Sequence, residues 1–209
     1  MAKSKAVAEY GDFQTPSGLA RMVCAFLTKT GVQPAGLLEP TCGLGSFLYA
    51  ALDEFQGIRK AVGAEINPCY VDQAKATLRQ RGGDSRLRLA EADFFVTDWK
   101  DILDELPEPI LVLGNLPWVT NAQLGALGSR NLPAKSNFQN HSGLDAITGK
   151  SNFDISEWML IRLLEAMNGR RGVLAILCKS SVARKVLRHA WKNDIALSTS
   201  AVYRIDADL

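Results

Sequence analysis

Residues 35–55 read AGLLEPTCGLGSFLYAALDEF: a short apolar run, a polar turn with glycines at 43 and 45, then a stretch of helical character. An apolar run this short, closed by a turn, suits a strand buried on both faces, and SFLYAALDEF suits a helix laid back over it. The same unit recurs along the chain. KAVGAEI is a second strand, followed by a helix in PCYVDQAKATLRQRG that Gly82 and Gly83 close. RLRLAEADFF supplies a third strand with looser bounds, and PILVLGN a fourth, so apolar that it is expected at the centre of a sheet. RGVLAILCK is a fifth, followed by the basic amphipathic helix SVARKVLRHAWK. Before these units, Leu19, Met22, Val23, Phe26 and Leu27 stand at helical spacing, with Gly31 as the stop. In SEWMLIRLLEAM, Asp154 or Ser156 is the expected cap, with Glu157 closing a capping box three residues after Asp154. Strands alternating with helices predict an α/β fold, a mostly parallel sheet with helices on both faces, and ligands at the carboxyl ends of its strands.

At 209 residues the chain suits one domain, 1–209, with a single core. An apolar fraction of 47% against 22% charged residues excludes whole-chain disorder. No apolar run approaches the roughly 20 residues that cross a bilayer, and MAKSKAVAEYGD lacks the core of a signal peptide, so no membrane partner and a cytoplasmic location are the default expectations. Cys24, Cys42, Cys69 and Cys178 form no CxxC pair and have only His141 and His189 for company, which argues for buried or half-buried thiols and against a metal site or disulfides. Between Glu165 and Asp194 there is no acid but seven bases. Such a strip fits a phosphate backbone, a solvated helix face or an acidic partner equally well. Residues 121–153 lose all periodicity and read as a long loop or lid inserted in the domain.

The strand ends carry the chemistry. Glu39 closes the first strand, and Gly43 and Gly45 let the following backbone bend close to a ligand. Leu48 stands where a GxGxxG fingerprint wants glycine, and an acid before the loop repels a pyrophosphate but suits a cationic amino group. Those features favour a nucleoside with an amino-acid tail over NAD. Glu65 closes the second strand, where a carboxylate can accept both ribose hydroxyls, and Ile66 beside it can lie on an adenine face. Asp93 closes the third, placed to accept an adenine amino group with Phe94 packing on the ring. Each acid alone suits a helix cap, but three at successive strand ends suit a site.

After the fourth strand comes NLPW. The Asn115 side-chain oxygen and the Leu116 carbonyl can both accept from one exocyclic amino group if Pro117 makes them converge. Two acceptors off the ring plane favour a pyramidal nitrogen and return its lone pair for attack. Trp118 supplies a face for stacking, worth about 1–3 kcal/mol for a base. The competing reading is an Asn-Pro turn with Trp118 filling the core.

FQTP, LLEPTCGLGSFL, GAEINP, ADFF, GNLPWVTN and, more loosely, GVLAILCKSSVARKVL together resemble the class I S-adenosylmethionine-dependent DNA adenine-N6 methyltransferases of restriction-modification systems. The resemblance implies a Rossmann-like methyltransferase fold and S-adenosyl-L-methionine as cofactor. It implies that Thr15, Pro16, Glu39, Cys42, Gly43 and Gly45 surround the methionine tail, that Glu65 takes the ribose, and that Ile66, Asp93 and Phe94 hold the adenine. Asn115, Leu116, Pro117 and Trp118 then form the catalytic turn, and the partner is double-stranded DNA with its target adenine flipped out. Leu116 replaces the family's more frequent proline, a mild departure where a backbone carbonyl is the group required. The family core has seven strands. IALSTSAVYRID is the expected sixth, the final antiparallel strand is missing, and the C-terminal recognition domain is absent, which suggests a truncated chain or one completed by a second chain. The same turn also serves protein glutamine and RNA base methylation, and a noncatalytic cofactor- or DNA-binding subunit is the reading from another class.

Overall fold

The computed structural model describes residues 14–118 and 154–205. Its elements run α1 (Ser17–Lys29), β1 (Gly36–Glu39), α2 (Ser46–Glu54), β2 (Lys60–Glu65), α3 (Pro68–Gln80), β3 (Leu87–Glu91), α4 (Trp99–Asp104), β4 (Ile110–Asn115), α5 (Ile155–Met167), β5 (Gly172–Leu177) and α6 (Ser180–Lys192). The five strands form one sheet in the order β3-β2-β1-β4-β5, every described pair parallel. β1 holds the centre, and β4 lies beside it, interior rather than central. The order reverses between β1 and β4, the place at whose carboxyl edge such sheets take their ligands.

Register explains why the strands are apolar throughout. Leu38 pairs with Val62 on one side and Val112 on the other, and that row faces a core built from α4, α5 and α6. Leu37, beside Ala61 and Leu111, points the opposite way, into a core that includes Ala20 and Cys24 of α1 and Phe47 and Leu48 of α2. Side chains alternate between the faces, so burial on both faces demands a continuous apolar run.

Local chemistry sets the helix starts. Asp154 Oδ1 caps α5, accepting from the Ser156 N–H at 3.1 Å and its hydroxyl at 2.6 Å. Glu157, 3% exposed at its side chain, accepts from Lys185 Nζ of α6 at 2.7 Å, so its carboxylate ties α5 to α6. Asn67 caps α3 through the Cys69 N–H, with Pro68 at the first helical position. The short helix α4 has no counterpart in the sequence expectations. Its signal is Asp98, whose side chain accepts from the Lys100 N–H at 2.9 Å.

Two expectations need correction or lie elsewhere. IALSTSAVYRID was expected to give a sixth strand, yet the described part, residues 195–205, forms none and is mostly exposed. Its ALSTSA portion has little apolar surface to bury, so pairing at the sheet edge gains little. The segment instead brings Tyr203 edge-on to Phe26 of α1, with centroids 4.6 Å apart. The loop or lid assigned to 121–153 lies outside the described residues. Among the described residues no helix is long and apolar enough to cross a membrane.

The tightest packing behind the site is at Gly63 of β2. A Cβ there would lie 2.4 Å from Leu48 Cδ1, 2.9 Å from Leu89 Cδ2 and 3.2 Å from Cys42 Sγ. Gly63→Ala is therefore expected to lower stability by about 1–3 kcal/mol, the usual cost of overpacking. A urea titration checks this, and an unchanged midpoint would show that Leu48 and Leu89 yield freely.

Candidate active site

The loop after β1 is closed on itself and on β2. The Gly45 N–H donates to the Cys42 carbonyl at 2.7 Å, and the Cys42 N–H to the Ala64 carbonyl at 2.8 Å. Gly43 and Gly45 have φ of 51° and 87°, a region glycine enters without strain. At Gly43 a Cβ would stand 2.6 Å from Gln14 Oε1, and at Gly45 it would stand 2.8 Å from the Tyr49 ring.

Glu65 holds this loop. Its Oε2 accepts from the Gly43 N–H at 2.9 Å and its Oε1 from the Asn67 N–H at 2.8 Å. The carboxylate thus braces the loop from the end of β2. Glu39, 3% exposed, accepts from the Leu48 N–H at 3.1 Å. Burial, with the Glu65 charge as a smaller contribution, pushes its carboxyl well above the ordinary value. A cation beside it would relieve both, which is what the amino group of an amino-acid tail would do.

The structure distributes the remaining expected residues unevenly. Asp93 Oδ1 accepts from the Phe95 N–H at 2.8 Å, which leaves its other oxygen for a ligand amine. Ile66 is half-buried beside Glu65. Phe94 departs from expectation: at 5% exposure it packs on Trp99, centroids 4.7 Å apart, because the turn after β3 points its ring into the core. Cys42 is also turned inward, 5% exposed, so it reaches the site through its backbone. Burial raises its thiol, and holds that of Cys24 at about 12, so neither is a nucleophile at neutral pH. Cys178 is half-buried as expected, whereas Cys69 is exposed. Among the described residues no His, Cys, Asp and Glu group could hold a metal ion.

Two site residues escaped the sequence reading. The Thr41 hydroxyl, inside the loop, is buried without a hydrogen-bond partner. Gln14 Oε1 accepts from the Leu44 N–H at 3.1 Å. Their residue types gave no signal; only the fold brings them to the loop. An orphaned hydroxyl, a buried acid seeking a cation, and a glycine cradle that Cβ atoms would fill together fit a nucleoside with an amino-acid tail.

At the end of β4, Leu116 is 1% exposed and Trp118 41%. The Trp118 indole N–H donates to the Leu177 carbonyl of β5 at 3.4 Å. Trp118 is thus a tethered surface ring, not a core filler. Asn115 Nδ2 donates to Thr15 Oγ1 at 3.4 Å, while its Oδ1 is buried with no partner. Pro16 starts α1 directly after Thr15.

Of the seven bases between Glu165 and Asp194, four pair within the chain: Arg170 with Asp104, Arg171 with Glu108, Lys179 with Asp154 and Lys185 with Glu157. Arg184, Arg188 and Lys192 stand exposed along α6.

This parallel sheet with its loop at the reversal point is the Rossmann-like fold of methyltransferases. An S-adenosylmethionine-dependent O-methyltransferase from Thermotoga maritima superposes with a TM-score of 0.51 at 11% identity, covering 87% of this chain and 52% of its own. A type I restriction-modification methyltransferase subunit from Streptococcus thermophilus gives a TM-score of 0.54 at 19% identity, over 85% of this chain and 38% of its own. Identities that low speak for the fold alone. In sequence, the chain is 51% identical over 198 residues to the Type II methyltransferase M.NspV of Nostoc sp., which is 95% of this chain and 41% of that protein. The chain therefore spans about two fifths of the length of this curated relative. No protein-family profile matches it.

The raised Glu39 carboxyl has a consequence for stability. The folded chain keeps the proton at pH values where the unfolded chain, with an ordinary value of 4.5, has lost it. Its contribution is therefore fully present below that value and is lost as pH rises through the folded value. Glu39→Gln, neutral and of equal shape, is expected to reduce the fall in melting temperature of the free protein between about pH 5 and about pH 8. Equal slopes in the two proteins would clear Glu39 as its source.

Proposed function

We propose that this chain is the cofactor-binding and methyl-transferring part of a DNA adenine-N6 methyltransferase. The observation that carries the reading is the Asn115 oxygen, buried and without a partner, beside a tethered Trp118 ring at the end of β4. An unsatisfied buried acceptor costs about 1–3 kcal/mol. Such a cost at a strand end suits a group kept free for a ligand amine. The 51% identical type II methyltransferase relative supports DNA as the partner.

S-adenosylmethionine, when bound, supplies a methyl group already activated on a sulfonium. Glu39 takes the amino group of its tail, Glu65 the ribose, and Ile66 and the open oxygen of Asp93 the adenine. The Thr41 hydroxyl, Thr15, Pro16 and the backbone of residues 42–45 line the tail. Asn115 Oδ1 and the Leu116 carbonyl accept from the target amine and localise its lone pair, and Trp118 stacks on the flipped base. The amine nitrogen, held in line by Asn115 and the Leu116 carbonyl, would give its surplus proton to water once the methyl group had been transferred. No strong base is needed, and most of the acceleration comes from alignment. Reading of the DNA sequence falls to a recognition domain or second chain that also completes the sheet. The outer edge of β5, unpaired among the described residues, supports that part.

Labelled S-adenosylmethionine offered with unmethylated DNA, RNA and a protein extract, with mass identification of the product, tests the proposal. N6-methyladenine in DNA is expected. Methylglutamine or a methylated RNA base would redirect the substrate. Asn115→Ala is expected to cut transfer by at least about a hundredfold, the scale seen when one preorganised hydrogen-bonding group is lost, while cofactor binding by calorimetry stays within about twofold. Full transfer by that variant would sink the role of Asn115.

A further inference from the structure

A carboxamide has two ends of nearly equal shape, one donating and one accepting. For Asn115 to grip an amine, the oxygen must face the target and the NH2 must face away. Nothing in β4 itself selects between these orientations. The contact that holds this arrangement comes from 100 residues away, where Thr15 Oγ1 accepts from Nδ2 at 3.4 Å while Oδ1 has no partner.

Thr15 is itself firmly placed. Pro16 follows it, and the Pro16 carbonyl accepts from the Ala20 N–H at 3.1 Å to begin α1. Ala20 and Cys24 anchor that helix with 0% exposure. On its other side Gln14 Oε1 takes the Leu44 N–H at 3.1 Å. Two adjacent residues thus touch the loop after β1 and the turn after β4, at the carboxyl ends of two paired strands.

We infer that Gln14 and Thr15 form a clasp, with Thr15 as a positioning residue that anchors the Asn115 side chain through its NH2 and so steadies it while its oxygen meets the target amine. The inference rests on the proposed role of Asn115 and goes beyond lining of the cofactor by Thr15. Gln14 joins the same segment to the glycine loop.

The test compares Thr15→Val, which keeps the shape and removes the acceptor, with Thr15→Ser, which restores it. The first readout needs no catalysis: the side-chain NH2 resonances of Asn115 in the free protein, assigned by their loss in Asn115→Asp. Thr15→Val is expected to shift these resonances and speed their exchange with water, and Thr15→Ser to return both toward wild type. Unmoved resonances in Thr15→Val overturn the clasp. The second readout is kinetic. A residue that only lined the cofactor would raise KM for S-adenosylmethionine and leave kcat at saturation intact, whereas a positioning residue lowers kcat at saturation. The loss expected for Thr15→Val is about tenfold, the scale of one modest hydrogen bond, with recovery in Thr15→Ser. Unchanged kcat in Thr15→Val, with Asn115→Ala inactive, overturns the clasp alone. Full activity in Asn115→Ala overturns the clasp together with the reading beneath it.

Discussion

A single carboxylate holds the carboxyl edge of this sheet together. Glu65 ends β2, yet its oxygens take the N–H groups of Gly43, after β1, and Asn67, before α3. Without that brace the glycine loop would keep its bonds from Cys42 to Ala64, from Gly45 to Cys42 and from Leu44 to Gln14. Such a loop has freedom that costs entropy to freeze when a ligand arrives. Braced, it is ready. The requirement explains why the residue at this strand end must be acidic, long enough to reach 22 positions back, and 9% exposed.

The same edge carries most of what the fold leaves unsatisfied. Both buried side-chain polar atoms without a partner among the described residues, Thr41 Oγ1 and Asn115 Oδ1, lie there, as does the buried acid Glu39. The rest of the interior shows the opposite tendency. Asp154 and Glu157, buried on the α5 side, are matched by Lys179 and Lys185. Desolvation is equally costly on both sides, so the difference marks where partners from outside the chain belong.

Charge on α6 has a mixed meaning in this light. Its inner bases serve the fold by neutralising acids at the start of α5, and only the outward Arg184, Arg188 and Lys192 remain for any polyanion. The residues after α6 turn back over α1 through Tyr203 and Phe26, so β5 keeps an open edge among the described residues. An open edge is a template for another strand.

Strand and helix order, the parallel sheet and the acids at Glu39, Glu65 and Asp93 were legible in the sequence, because burial on both faces writes itself as apolar runs and turns interrupt those runs. NLPW stood out because a polar, proline-containing turn follows so apolar a strand. The short helix α4, by contrast, spans too few residues to show a period. The inward turn of Phe94, the absence of strand in 195–205, the pairing of the α6 bases and the meeting of Gln14 with Leu44 and of Thr15 with Asn115 were all decided by tertiary structure. Each depends on residues 25 to 100 positions apart, or on which way a side chain leaves a turn, and local pattern carries no record of either. Composition and period therefore determined which elements form and which ends are polar, while the packing of α1 across the sheet decided which of those polar groups face one another.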